Sequence, residues 1–187
     1  MYTYLALFRG INVSGHNMIK MEPLKKLLEA NGFIKVETYI QSGNVVFNSP
    51  EENEAKLARN LENLMYKEYG YNILIFVLNT DILTSVITGN PYTTAIPEGQ
   101  GAKKYHVVFL SDNPHPDGVA RLKKYYNGND EYAFANKVMY LKLEASAADS
   151  KLTNTFLEGK LGVKATTRNW NTTLKVLEMM HKVIKAD

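Results

Sequence analysis

The feature that most constrains this chain is a switch of apolar periodicity, between two residues and about 3.6, made in the same order twice. Residues 2–9 alternate, with Tyr2, Tyr4, Ala6 and Phe8 on one side and Thr3, Leu5, Leu7 and Arg9 on the other. Alternation marks a strand, because successive side chains leave opposite faces. After a glycine-containing loop, Leu24, Leu27 and Leu28 take helical spacing over 22–31, and Gly32 supplies the stop. Alternation returns at Ile34, Val36, Thr38 and Ile40, and Ser42-Gly43 turns the chain into Asn44-Val-Val-Phe47. Ser49-Pro50-Glu51-Glu52 predicts a helix start, with Ser49 as cap and Glu52 closing a capping box. That helix should bury Leu57, Leu61, Leu64 and Met65 and stop at Gly70. Ile73 to Leu78 is a continuous apolar run, hence a central strand, and Asn79-Thr80-Asp81 caps a short helix carrying Leu83, Val86 and Ile87.

The order is strand-helix-strand-strand-helix-strand with a helix appended, the ferredoxin-like split βαβ plan. Residues 90–102 hold two prolines and two glycines without periodicity and read as a linker. The plan then repeats. A strand carries Tyr105, Val107 and Phe109; a helix follows over 116–126, a hairpin over 131–143, a helix over 150–161 and a strand over 163–168. A last helix begins near Asn171, with Leu174, Leu177, His181 and Ile184 on one face. The expected fold is α+β: two tandem ferredoxin-like alpha-beta plaits, 1–89 and 103–187. The closing strands even end alike, Leu78-Asn-Thr in the first half and Arg168-Asn-Trp-Asn-Thr in the second.

Composition serves mainly to exclude. A chain of 187 residues without cysteine has no disulfide, no thiol nucleophile and no cysteine-held metal. Its length buries enough surface for a core without such staples. The start, Met1 to Arg9, carries no basic leader and its apolar run is far shorter than the ~18–20 residues of a span, so a cytoplasmic protein without membrane contact is expected. Residues 1–102 hold 8 Lys/Arg against 10 Asp/Glu, whereas 103–187 hold 14 against 9. That asymmetry opens a nucleic-acid reading for the second half, beside the plainer one of a solvated lysine surface.

Three stretches are unusual for scaffolding: Arg9 to Asn17, Gln41 to Asn44, and Thr166 to Asn171. The chain has four arginines against eighteen lysines, and two of the four, Arg9 and Arg168, fall here. A guanidinium presents a planar fork suited to carboxylate or phosphate. In a split βαβ unit the first two strands run parallel, so the end of the first and the turn after the second share one end of the sheet. Arg9, Gly10, Asn12 and Gly15 should therefore meet Gln41, Ser42 and Asn44, with glycine amides free to face a ligand. Arg168, Asn169 and Trp170 complete the candidate residues. Trp170 is expected to be buried, and Asn169 or Asn171 to cap the last helix.

Sharper motifs fail. Gly10 to Gly15 has phosphate-loop spacing, but His16-Asn17 stands where Lys-Ser/Thr is required. The histidines, at 16, 106, 115 and 181, are too dispersed for a metal signature, and no cofactor is implied. Glu37 and Glu144 have no visible acid–base partner. An RNA-recognition platform would use Tyr2, Tyr4 and Phe8, but Gly43-Asn-Val-Val-Phe47 has a single aromatic where an alternating pair is wanted. The leading reading is a small phosphate- or carboxylate-bearing ligand held by 9–17 and 41–44. Nucleic-acid binding through the second half and a metal-independent enzyme remain the alternatives.

R-G-I-N-V-x-G at 9–15, T-Y-I-Q-S-G-N-V-V-F at 38–47, and a late S-K-L followed by A-T-T-R-N-W-N-T at 165–172 together resemble the bacterial domain of unknown function 1697 family. The resemblance implies a two-part alpha–beta plait and implies no reaction. The residues frequently seen in that family fall on Arg9, Gly10, Asn12, Gly15, Ser42, Gly43, Asn44, Arg168, Asn169 and Trp170. One departure is Glu144 to Asp149, ahead of Ser150-Lys-Leu, where relatives often carry a Pro/Gly turn.

Overall fold

The structure is a computed structural model. It describes residues 1–13, 15–93, 96, 101 and 103–185. Most of the 90–102 linker lies outside them. The elements are β1 (Tyr2–Phe8), α1 (Met21–Ala30), β2 (Ile34–Tyr39), β3 (Asn44–Ser49), α2 (Glu54–Tyr69), β4 (Ile75–Asn79) and α3 (Thr80–Thr88). They are followed by β5 (Tyr105–Leu110), α4 (Pro116–Tyr125), β6 (Glu131–Ala135), β7 (Val138–Lys142), α5 (Asn154–Leu161), β8 (Ala165–Asn169) and α6 (Trp170–Lys185). Two compact units result, Met1–Ser85 with Lys175–Asp187, and Val86–Leu174.

Each unit holds one four-stranded antiparallel sheet, in the order β2-β3-β1-β4 or β6-β7-β5-β8. This is the ferredoxin-like arrangement, so the expected fold class is found in both. In the first unit the helix-facing core joins Tyr4, Ala6 and Phe8 of β1 to Leu24 and Leu28 of α1 and to Leu57, Leu61 and Met65 of α2. In the second, Val108 and Leu110 meet Leu122, Leu157 and Leu161. β1 and β5 are central strands, and their remaining side chains, Leu5, Leu7, Val107 and Phe109, are also buried. Tyr4 and Phe8 sit inside the core, and the Tyr4 hydroxyl donates to Glu51 O at 2.7 Å. An RNA platform built on these rings is therefore ruled out.

Four local expectations are corrected. α2 starts at Glu54, capped by Asn53, whose side chain accepts from Lys56 N. Ser49 instead stays in the sheet opposite Tyr2, and its hydroxyl accepts from Glu51 N. In β2 a bulge between Ile34 and Glu37, with Lys35 at φ 51°, breaks the alternation; Phe33 and Val36 are buried and Ile34 is exposed. α5 starts at Asn154 rather than Ser150, because the Thr153 side chain caps it by accepting from Phe156 N. On α6, beyond Trp170 and Thr172 in its first turn, the buried positions are Thr173, Val176, Met180 and Val183, not Leu174 and Ile184, which are exposed. Two apolar stripes one residue apart, about 100° around the helix, compete there, and burial selects the one the sequence reading passed over.

Candidate functional site

The two stretches placed at one end of the first sheet do meet there. β1 and β2 both pair antiparallel with β3, so they run the same way and finish at the same end. Phe8 N donates to Gly43 O at 2.8 Å, and Arg9 N to Leu74 O at 3.0 Å. The hub is Asn12. Its Nδ2 donates to Gln41 O at 2.8 Å and to Ile19 O at 2.9 Å, while its Oδ1 accepts from Ile19 N at 2.8 Å. One side-chain amide thus ties the exit of β1, the entry to α1 and the β2–β3 turn together. Asn17 adds a bond from Nδ2 to Gly10 O at 3.1 Å, and Asn12 N donates to Asn17 O.

Backbone conformation explains why these residue types are needed. Gly10, Asn12, Gly15 and Asn17 all have positive φ, as do Ile40 and Gly43 in the turn. Asparagine tolerates that region better than other side chains, whereas a β-branched residue such as Ile40 is a true outlier. Gly43 is required for a second reason. A Cβ there would lie 2.7 Å from both Ile11 Cδ1 and Phe8 Cβ, and Ile11 is fully buried beneath the loop.

With Asn12 spent on this clamp, its role is to hold shape. Asn44 is likewise turned inward, donating to Tyr39 O and Ser42 Oγ. The groups that face solvent are Gly10, Gly15, His16, Gln41 and Ser42, with Arg9 half-buried at the strand end. Three large apolar side chains, Val13, Met18 and Ile40, are exposed in the same cluster, each next in sequence to a residue bound at the Asn12 hub. The sequence reading did not single them out, since only the clamp brings them together.

Arg168, Asn169 and Trp170 lie in the other unit. Arg168 is buried on β8 opposite Val107, and its Nη1 donates to Thr166 Oγ1 and Thr167 O, both at 2.9 Å. Burial lowers its pKa to about 10. Trp170 is 5% exposed, and Asn169 Oδ1 accepts from Thr172 N at 2.8 Å, capping α6 as expected. A Cβ on Gly101 would press on the side-chain amide oxygen of Asn171 and touch Trp170 Cδ1.

The second unit has its own hub, which sequence reasoning missed. Asp130 Oδ2 accepts from Tyr126 OH at 2.7 Å and Ser150 Oγ at 2.6 Å, and its Oδ1 accepts from Glu144 N at 2.8 Å. Burial alone would raise the Asp130 carboxyl, but these bonds outweigh it and hold the pKa below the usual carboxylate range. Burial and the same contact push Tyr126 up to about 12. Beside this hub lies an open cleft of about 400 Å³ lined by Lys104, Tyr105, Asn129, Glu131, Lys142, Leu143 and Glu144. Its charges are mixed and partly paired, Lys142 Nζ lying 2.6 Å from Glu131 Oε1. His106, on the neighbouring stretch of β5, is buried with Nδ1 unbonded, and burial holds its pKa below the ordinary value. Among the described residues, no group of His, Cys, Asp and Glu gathers as a metal site, and no helix is long and apolar enough to cross a membrane.

These features define a two-plait α+β protein with a clamped, glycine-rich polar loop at one end of its first sheet. Residues 1–140 match the sequence model of the family described as Protein of unknown function (DUF1697), and the chain belongs to that family. The match includes the first two candidate stretches and stops short of the third. A solved structure titled as a conserved bacterial protein from Streptococcus pneumoniae is similar in fold, at 22% identity and a TM-score of 0.73 over 96% of this chain and 98% of that one. No curated protein matches the sequence.

Proposed function

We propose that the end of the first sheet, where residues 9–17 meet the 41–44 turn, binds a small anion bearing a phosphate or carboxylate. The observation that carries this reading is the Asn12 clamp, which ties the exit of β1, the entry to α1 and the β2–β3 turn to one another. Preorganisation of that kind lowers the cost of binding. Charge supports the same reading. Residues 9–20 and 40–44 contain Arg9 and Lys20 and no Asp or Glu. The exposed glycines give a ligand close access to backbone amides, which suit an anion in a concave turn. Val13, Met18 and Ile40 would meet whatever apolar part the ligand carries.

The test is a titration of the ¹⁵N-labelled full chain with inorganic phosphate, acetate, citrate and nucleoside monophosphates, followed by amide shifts. Gly10, Gly15, Gln41 and Ser42 should move together with one saturating curve. Arg9→Ala should weaken binding by about 10- to 100-fold, the value of a charged hydrogen bond. Amides that stay still with every anion at millimolar concentration would end this reading.

A further inference from the structure

The packed pair α4 and α5 carries a group of cations that the sheet-end site does not use. Gly118 brings the two helices together, since a Cβ there would stand 2.8 Å from Leu161 O. At that separation Arg121 reaches across, and its Nε donates to Lys160 O at 3.1 Å. Arg121, Lys124 and Tyr125 stand at i, i+3 and i+4 and so share one side of α4, while Phe156 and Lys160 stand at i and i+4 on α5. Lys160 Nζ lies 4.2 Å from the Tyr125 ring centroid and 5.5 Å from that of Phe156; Lys124 Nζ lies 5.5 Å from Tyr125. Two cations, Lys124 and Lys160, therefore converge on one aromatic side chain, and Arg121 is tied to the backbone of Lys160 beside them.

The carboxylates of these helices are engaged elsewhere. Asp117 sits at the N-terminus of α4 beside His115, and Glu158 turns inward to accept from Ala165 N, with Lys164 as its ionic neighbour. Among the described residues, Arg121, Lys124 and Lys160 have no carboxylate at ion-pair distance. On the first unit's helices Lys25, Lys26 and Lys56 each have a glutamate partner, while Arg59 and Lys67 of α2 have none among the described residues and no exposed aromatic bridged by lysines. Like charges gathered without counter-charge favour a polyanion.

The aromatic component decides which polyanion. Tyr125 is 55% exposed, and no other large apolar side chain of α4 or α5 is exposed. A lipid surface would call for apolar residues to insert. A lone aromatic flanked by lysines is instead the combination that holds unpaired bases and their phosphates. We propose that this face of α4 and α5 binds single-stranded nucleic acid, with Arg121, Lys124 and Lys160 meeting phosphates and Tyr125 stacking on a base.

The experiment is fluorescence anisotropy of the full chain with a labelled 12-nucleotide single strand and the matching duplex, from 50 to 200 mM salt. The single strand should bind more tightly than the duplex, with log K falling by about 2 per decade of salt for three contacts. Lys124→Ala with Lys160→Ala should reduce that slope by about 1.4. Tyr125→Ala should weaken binding roughly tenfold and Tyr125→Phe restore it, because stacking needs the ring and not the hydroxyl. Lys26→Ala with Lys182→Ala, which removes two charges from the first unit, should leave binding unchanged. No binding at 50 mM salt overturns the proposal. So does an equal loss in both double variants, which would mean net charge alone. Tighter binding to phosphatidylglycerol vesicles than to the oligonucleotide would overturn it in favour of a membrane. Anion titration of the first unit's loop should be unaffected by any of these variants, so the two sites succeed or fail separately.

Discussion

The two units use one fold and place their excess chain at opposite ends of it. In the first, twelve residues (9–20) lead from β1 to α1 and four (40–43) join β2 to β3. The corresponding connections in the second unit need only five (111–115) and two (136–137). At the other end the relation reverses. The first unit spends three residues (31–33) and four (50–53), the second five (126–130) and eleven (143–153). Each unit thus shows the other how little connection the fold requires. Chain beyond that minimum serves something besides topology, and long loops held by a rigid scaffold are where binding residues concentrate. Each excess is also tied by one side chain, an amide at Asn12 and a carboxylate at Asp130. The neutral hub sits in a loop whose formal charges are Arg9 and Lys20, whereas the charged hub sits beside a cleft of mixed sign.

The largest effect should come from the first unit's loop. Gly43→Ala puts a Cβ into Ile11 and Phe8 while φ is 72°. Left-handed strain of about 1–2 kcal/mol and overpacking of about 1–3 kcal/mol add to a loss of roughly 2–5 kcal/mol. Gly10→Ala has φ 69° but open space around it, so only the first of these costs, about 1–2 kcal/mol, applies. Urea unfolding of both variants measures the difference. Equal losses would mean that Ile11 yields easily, and that the loop is looser than the Asn12 clamp implies.

The second unit's hub should give the next largest effect, and its own pH signature. Asp130→Ala strands three donors and should cost about 1–3 kcal/mol. The folded-state pKa of Asp130 is depressed, so its contribution is present above the unfolded value of about 3.9 and is lost as pH falls below it. Tyr126 is raised, so its contribution is present below about 10 and is lost as pH climbs towards about 12. Stability curves of wild type and Asp130→Ala should therefore converge at both extremes. A gap that stays constant from pH 3 to pH 11 would show that the bonds seen around Asp130 do not determine its worth.

Much of the scaffold was legible from residues, and the failures share a cause. Period and punctuation located the elements, because Gly32, Gly70 and Gly162 stop helices by positive φ and strand alternation is dictated by the pleat. The meeting of 9–17 with 41–44 followed from topology alone. Local signals failed where two were equally good and a distant contact chose between them. Ser49 and Asn53 are both fair caps; pairing with Tyr2 kept Ser49 in the sheet. Lys35 bears no mark of a bulge, and the second stripe of α6 looks no more apolar than the first. Asp130 was out of reach for the same reason, since Ser150 lies twenty residues away. Ser150-Lys-Leu stood out only by family resemblance, and the structure gives its serine a role, holding Asp130 while accepting from Leu152 N at 3.0 Å. The Glu144 to Asp149 segment before it belongs to the eleven-residue loop that this hub secures.

The smallest effect tests how far the likeness of the units extends. Asn79 and Asn169 each end the last strand of a sheet and cap the helix that follows, with Oδ1 accepting from Ile82 N or Thr172 N at 2.8 Å. Loss of a cap costs about 1 kcal/mol, so Asn→Ala at either position should fall in that range. The two side chains differ in one bond: Asn79 Nδ2 also donates to Glu54 Oε1 at 2.7 Å. Aspartate keeps the capping oxygen and adds a charge that favours a helix N-terminus by about 0.3–1 kcal/mol. At position 169 that gain should stand, and Asn169→Asp should be neutral or slightly stabilising. At position 79 the new carboxylate would face Glu54 and lose the donor, so Asn79→Asp should destabilise despite the better dipole. Urea midpoints at pH 7 decide the matter, and repeating them in high salt should shrink the penalty at 79 by screening. If both aspartates stabilise alike, the Glu54 contact carries no weight and the two caps are interchangeable; opposite signs mean the shared cap has been built into different surroundings.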